Sequence, residues 1–226
     1  MFIMRIQKQR KEKQLVIVGK GGHAAVVADA AALSGMYATI THVELDAQWM
    51  AQHPEQAAGM IAGWQARCAP CAWIVGIGDN YRRAQLMTQI EALHAVEWAT
   101  VCHPDSVVAA SAHIDAGSFV AAMAVVGVRC HVGRGCIINH HASLDHDSYM
   151  DAFSSLAPGV ITGGQVRIGQ RAAIGLGVRL LQRVCIGHDT VIGAGALVLR
   201  HVPAEVVAYG TPAQVIRRRR VDEPYL

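Results

Sequence analysis

From residue 108 to residue 198 every sixth position is aliphatic with one exception. The run is Val108, Ile114, Val120, Val126, Val132, Ile138, Leu144, Met150, Leu156, Thr162, Ile168, Ile174, Leu180, Ile186, Ile192 and Val198, in which only Thr162 is polar. Four places after each anchor the residue is small or β-branched, from Ala112, Ser118 and Ala124 through Thr190 and Ala196. The place directly after the anchor is often Gly, Asp or Asn, as at Gly127, Gly133, Asn139, Asp145, Gly169, Gly175, Gly187 and Gly193. A period of six fits neither the 3.6 of a helix nor the alternation of an open sheet. It predicts short parallel strands separated by tight turns. The anchor and the small residue face inward, and Gly, Asp or Asn takes the turn conformation that other residues resist. So many unbroken steps without hairpin signals argue against one long amphipathic sheet.

Before residue 102 the pattern is different. Leu15 to Val18 is a β-rich run, followed by Gly19-Lys20-Gly21-Gly22-His23 and an alanine-rich stretch ending at Ser34-Gly35. This reads as strand, glycine turn, helix and C-terminal glycine stop. Further strands are expected at Tyr37 to Glu44 and Ala72 to Ile77, a helix from Asn80 to Leu93, and a closing strand at Val96 to Val101. Residues 47–70 read as helix or irregular connection. These βαβ units predict a small parallel, Rossmann-like sheet over residues 14–102, followed by the solenoid and a C-terminal segment over 103–216.

Composition changes this picture little. The 226 residues are 52% hydrophobic and 16% charged, with few aromatics, which suits closely stacked small side chains. The net charge of +3 resides largely in two runs, Arg5 to Lys13 and Arg217 to Arg220, and does not argue for nucleic acid. No apolar stretch is long enough to span a bilayer and the N-terminus lacks a signal-peptide core, so a cytoplasmic protein with no membrane partner is expected. Cys68-Ala-Pro-Cys71 supplies two ligands where structural zinc wants four, and reads as a loop with two thiols; no metal is expected.

The hexapeptide anchors resemble those of left-handed β-helix acyltransferases, in which three hexapeptides form one coil. On that resemblance residues 108–198 supply about five coils. Four further features join them: Gly19-Lys20-Gly21-Gly22-His23, Ile77-Gly78-Asp79-Asn80, the pair Asn139 and His146-Asp147, and Gly210-Thr211-Pro212-Ala213. Together they are similar to the sialic-acid O-acetyltransferase and bacillosamine N-acetyltransferase family over Gln14 to Arg217. The resemblance implies an N-terminal Rossmann-like α/β domain followed by a left-handed parallel β-helix. It also implies a homotrimer, acetyl-CoA as co-substrate in the groove between adjacent β-helices, and a nucleotide-linked amino sugar on the N-terminal domain.

Site residues follow from the same resemblance. His146 is the general base, Asp147 its supporting carboxylate, and the Gly164 N–H the donor to the developing oxyanion. Asn139 makes a polar contact near the reacting groups or is simply a turn asparagine. Gly21, Gly22, His23, Asp46, Asp79 and Arg82 meet the nucleotide sugar, where a glycine-rich turn at a helix N-terminus suits phosphate; Arg82 and Arg83 read otherwise as a solvated helix face. Ser155, Leu176 and Ala194, on successive coils, meet acetyl-CoA. Arg217 to Arg220 meets cofactor phosphates or is a solvated tail.

The expected reaction is N-acetylation of a UDP- or dTDP-linked 4-amino-4,6-dideoxy sugar. The alternatives are O-acetylation of a sialic-acid-like sugar and a non-catalytic scaffold. A further alternative is a zinc site like that of carbonic anhydrases on the same β-helix. His141 and His146 are suggestively spaced for zinc, but position 105 is Asp where a third histidine would be needed, and exposed turn histidines at 140 and 141 explain the pair as well.

Overall fold

The computed structural model describes residues 13–225, so the Arg5 to Lys13 run lies outside them except for Lys13. Strand β1 (Gln14–Val18) is the centre of a three-stranded parallel sheet, between β2 (Ile40–Val43) and β3 (Cys71–Val75). Helix α1 (Gly22–Ser34) follows β1 and stops at Gly35, whose φ of 65° needs glycine. Gly76 serves another purpose: a Cβ there would lie 2.8 Å from the Ala24 backbone, so its absence lets helix and strand approach closely.

Residues 47–70 contain two helices, α2 (Ala47–Gln52) and α3 (Pro54–Arg67). The first is capped by the Asp46 side chain, which accepts from Trp49 N at 2.8 Å. Helix α4 (Asn80–Leu93) lies where expected. The closing strand does not form as such. Trp98 only bridges Trp73, whereas Val101–Cys102 pairs with Phe119–Val120 and thereby starts the solenoid.

From Val101 to Val198 the chain winds as a left-handed parallel β-helix of about six coils, one more than the anchors from Val108 implied. Every strand is two residues long, and residues eighteen apart stack. Face A runs from Val101–Cys102 to Val191–Ile192, face B from Val107–Val108 to Leu197–Val198, and face C from His113–Ile114 to Cys185–Ile186. Inside, the anchors from Val120 onward and the small residues four places on form one continuous core, whereas Val108 in the first coil is exposed because no coil lies below to cover it.

The turn chemistry differs from expectation. Left-handed backbone occurs three places after the anchor, at Met123, Arg129, His141, Asp147, Phe153, Gln165, Arg171, Arg183 and Asp189 and at five glycines including Gly135 and Gly177. In this conformation the turn N–H reaches the coil below, as in Asp147 N to Val128 O (2.9 Å) and Gln165 N to His146 O (2.8 Å). That bond offsets the ~1–2 kcal/mol cost of the left-handed state and lets ordinary residues occupy it. The glycines directly after the anchor have a different task. A Cβ at Gly169 would lie 2.5 Å from His188 N, so these positions are small because the next coil passes over them.

The two parts share apolar contacts: β1, α1 and Ala99 pack with Phe119, Ala121 and Ile137 of face A. The polar tie is Arg83. It is 1% exposed, not on a solvated helix face, because it points from α4 into the junction while Arg82 next to it is exposed. Its guanidinium donates to Gly135 O (2.6 Å), Ile77 O (3.0 Å), Gly78 O (2.9 Å), Asn80 Oδ1 (2.7 Å) and Phe153 O (2.9 Å).

A C-terminal hairpin, Val206–Gly210 with Ala213–Arg218, closes the upper end of face A. The arginine run is therefore neither a loose tail nor a free cationic patch. Arg217, though exposed, pairs with Glu223, Arg220 pairs with Asp222, and Arg219 is 8% exposed and donates to Asp189 O at 2.8 Å.

Candidate active site

At the C-terminal ends of the three parallel strands, where such sheets offer their crevice, lies a cleft of about 680 Å³. It is formed by the Gly19 to His23 turn, Glu44, Asp46, Trp49, Gly76 to Gly78 and Arg82. Gly21 and Gly22 have no atom within 4 Å of where a Cβ would stand, so their small size leaves open backbone facing the cleft. Gly21 occupies the N-cap of α1 without a side-chain cap, which leaves helix N–H groups available to an anion. Of the six residues expected to meet the nucleotide sugar, Gly21, Gly22, His23, Asp46 and Arg82 line this cleft. Asp79 does not: it caps α4, accepting from Arg82 N at 2.8 Å, and lines a smaller cavity beside it.

A second cavity, about 470 Å³, runs along face A and the corner between faces A and B. Ser155, Leu176 and Ala194 line it on successive coils, with Asn139 at its lower end. Asn139 also behaves as a turn residue, since its Oδ1 accepts from His140 N at 2.9 Å. His23 and Gly78 border both cavities, which therefore meet end to end. His23 is held neutral at this junction: burial, then the nearby Arg83 and His140, lower its pKa to about 4. Its Nε2 is buried without a hydrogen-bond partner.

His146 lies elsewhere on the solenoid, at the corner between faces B and C. Its Nδ1 is 2.7 Å from Asp147 Oδ2, which leaves Nε2 as the free ring nitrogen. Asp147 is in turn gripped by Arg129, with Nε–Oδ1 at 2.7 Å and NH2–Oδ2 at 2.9 Å. The Arg129 hydrogen bond, then that of His146, holds the Asp147 carboxyl down to about 2, so it is ionised throughout the working range. One coil above, a Cβ at Gly164 would come within 2.5 Å of His146 Nε2 and Cε1, so glycine keeps the outer ring edge open.

Within one chain His146, Asp147 and Gly164 form one group and Asn139, Ser155, Leu176 and Ala194 another, with face B between them. His141 and His146 occupy different corners, and among the described residues no three His, Cys, Asp or Glu side chains stand close enough to hold a metal ion. Nor is any described helix long and apolar enough to cross a membrane.

Trp49, Glu44 and Tyr225 also line these cavities, and the sequence did not single them out for that role. Trp49 falls in the stretch with no clear periodicity, and Tyr225 comes after the last recognisable repeat.

Comparisons with known proteins bear on the family and the fold. Residues 14–90 match the model of the PglD N-terminal domain. Over 145 residues, 62% of this chain, it is 32% identical to GDP-perosamine N-acetyltransferase of Escherichia coli O157:H7, and over 159 residues, 70% of this chain, 32% identical to a serine acetyltransferase of Mycobacterium tuberculosis. The chain spans 65% and 60% of the lengths of these two curated relatives. Among solved structures it is similar to the acetyltransferase domain of PglB from Neisseria gonorrhoeae in complex with acetyl coenzyme A. The TM-score is 0.79 at 30% identity, covering 92% of this chain and 100% of that one. PerB from Caulobacter crescentus in complex with CoA and GDP-perosamine gives a TM-score of 0.78 at 30% identity, covering 90% and 97%.

Proposed function

Because the chain belongs to the bacillosamine-type amino-sugar N-acetyltransferase family of hexapeptide-repeat proteins, we propose that it moves the acetyl group of acetyl-CoA to the 4-amino group of a nucleotide-linked 4,6-dideoxy sugar. The observation that carries this reading is the meeting of two elongated cavities at His23 and Gly78. One has open glycine backbone at a helix N-terminus, suited to a diphosphate. The other is a long, mainly apolar groove suited to a pantetheine arm. Two extended substrates entering from opposite sides would bring their reacting ends together there, which replaces a bimolecular encounter by a positioned one.

In the proposed step His146 Nε2 takes a proton from the amine as the nitrogen attacks the thioester carbonyl carbon. The Gly164 N–H donates to the oxygen as it becomes negative, and collapse expels the CoA sulfur, which receives the proton from His146. The products are the N-acetyl sugar and CoA. Asp147, kept ionised by Arg129, fixes the imidazole so that Nδ1 holds its proton and Nε2 accepts.

The two groups of site residues are separated by face B in one chain, so this mechanism requires a second copy. Face B and its borders expose apolar side chains, with Val107 at 61%, Ile161 at 54% and Leu176 at 56%. Burying this face in a homotrimer would bring the His146 corner of one copy to the cavity corner of its neighbour.

The test is CoA release from acetyl-CoA with UDP-, dTDP- and GDP-linked 4-amino sugars and with sialic acids. UDP or dTDP is the expected carrier. GDP belongs in the panel because the Caulobacter structure holds GDP-perosamine. His146→Ala is expected to lose ~10²-fold or more in kcat, whereas His188→Ala, a similar His-Asp corner away from both cavities, stays within about twofold. Turnover on sialic acids alone would replace N- by O-acetylation. Mixing His146→Ala with an inactive cavity variant should restore part of the activity if the site is shared between copies; no recovery would exclude the trimer reading.

A further inference from the structure

Beyond the hairpin the chain turns back toward the N-terminal domain and is tied down as it goes. Arg219 donates to Asp189 O and to Glu223 O, and its guanidinium lies 5.6 Å from the centre of the Tyr225 ring. Arg217 grips the Glu223 carboxylate from the hairpin. The result is that Tyr225 is placed with purpose: its hydroxyl accepts from Asn80 N at 2.9 Å, the first N–H of α4, which has no partner within the helix. Ser155 lines the same groove as Tyr225. Asn80 is itself anchored, its Nδ2 donating to Ala172 O at 3.0 Å.

Tyr225 thus forms a wall of the groove along face A, in company with His23, Gly78, Asn139 and Ser155. The end of the groove beside which it stands is defined by its neighbours. His23 and Gly78 also border the cleft of the N-terminal domain, and the Tyr225 hydroxyl is bonded two residues from Gly78. Leu176 and Ala194 mark the opposite end, one and two coils above Ser155. A donor whose carrier lies along Leu176 and Ala194 and whose acyl group meets an acceptor from the other cleft has that acyl group beside the phenol.

We propose that Tyr225 is the specificity-determining residue that restricts the acyl donor to a two-carbon group, with the Arg219-anchored tail holding the phenol in place. This rests on the acyl-transfer reading above and adds a residue and a selectivity to it. A ring held at both its hydroxyl and its face does not retract, so extra methylenes on the acyl chain meet a fixed wall.

The experiment compares acetyl-, propionyl- and butyryl-CoA on the full chain carrying Tyr225→Ala or Tyr225→Phe. In Tyr225→Ala the butyryl-to-acetyl ratio of kcat/KM should rise about tenfold or more, as expected when a hydrophobic pocket gains room for added methylenes. In Tyr225→Phe, which keeps the ring and loses the hydroxyl, the ratio should stay within about twofold of the unsubstituted protein. Because each ratio is measured on one sample, partial unfolding cancels. An unchanged ratio in Tyr225→Ala, or an equal rise in both variants, would overturn the proposal. Should no amino sugar be acetylated, the function above fails separately. Calorimetric affinities for the same three donors then carry the test: relative affinity for butyryl-CoA should rise about tenfold in Tyr225→Ala, and no change would refute the wall.

Discussion

Replacing Arg83 by methionine removes a charge and leaves a side chain of similar reach, which isolates what the guanidinium contributes. Its N–H groups meet five oxygens between 2.6 and 3.0 Å, in a position 1% exposed. No carboxylate is among these partners, so the cation is solvated by carbonyl dipoles, and burial draws its pKa below the usual value without an ion pair to oppose it. Methionine would leave those oxygens buried and unpaired at ~1–3 kcal/mol each, offset in part because a buried cation is no longer required. A net loss of ~3–5 kcal/mol follows. Lysine keeps the charge but has three donors for five acceptors and no planar fork, so at least two remain unpaired, at a cost of ~2–4 kcal/mol.

The loss should also be located. Arg83 joins α4 and the Ile77-Gly78 turn to Gly135 and Phe153 of the solenoid, so its removal uncouples the N-terminal domain before the β-helix melts. All four tryptophans, Trp49, Trp64, Trp73 and Trp98, precede the first solenoid strand. Urea unfolding followed by tryptophan fluorescence therefore reports on that domain, and its midpoint should fall by ~1 M or more in Arg83→Met while the far-UV transition of the β-helix moves less. If both transitions stay within about 1 kcal/mol of the unsubstituted protein, the account of Arg83 as the polar tie is wrong.

Two other perturbations separate site from scaffold. Gly164→Ala puts a methyl against the outer edge of the His146 ring, which can swing aside, so turnover should fall at least about tenfold with little change in Tm. Gly169→Ala meets the His188 backbone instead, so stability should fall by ~1–3 kcal/mol while turnover per folded molecule is retained; the reverse pattern would refute both assignments. For His23, the unfolded imidazole binds its proton near 6.5 and the folded one only near 4, so the unfolded state holds more protons in that window and stability drops as pH falls. By pH 5 the loss is ~2 kcal/mol, and His23→Gln should flatten denaturation midpoints between pH 7.5 and 5; an unchanged slope would show that His23 is not the group responsible.

Much of the fold was legible because a repeat states its core sixteen times over. Each of Val120, Val126 and Val132 is a weak signal, but their spacing is not, and from Val120 onward the interior contains the anchors and small partners as the period required. The turn was misassigned for a physical reason. Glycine is commonly read as freedom of φ, yet Gly127 and Gly169 are small because a neighbouring coil crosses them, while the strained position is held by residues as unlike as Met123, Phe153 and Asp189. Their strain is relieved by bonds to residues a whole coil away, which no local pattern records. Arg83 was misread likewise, since a helical arginine is solvated unless something beyond its own helix covers it.

Local geometry has a further limit, visible in two corners of the solenoid. Arg129 grips Asp147, which orients His146; a little over two coils further on, Arg171 grips Asp189 at 2.7 Å through both oxygens, and Asp189 lies 2.9 Å from His188 Nδ1. The two constellations have the same spacing because the left-handed turn places an aspartate above an arginine eighteen residues earlier. A His-Asp pair with a supporting cation is therefore something this fold makes readily, without reference to chemistry. What differs is the surroundings. Asp189 is 1% exposed and its carbonyl is bound by Arg219 of the tail, so that corner serves to fasten the C-terminus. His146 instead has Gly164 above it, and its corner borders the apolar face B. In the proposed mechanism, what would set the His146 corner apart from the His188 corner is thus the glycine and the open face beside the histidine, not the His-Asp geometry itself.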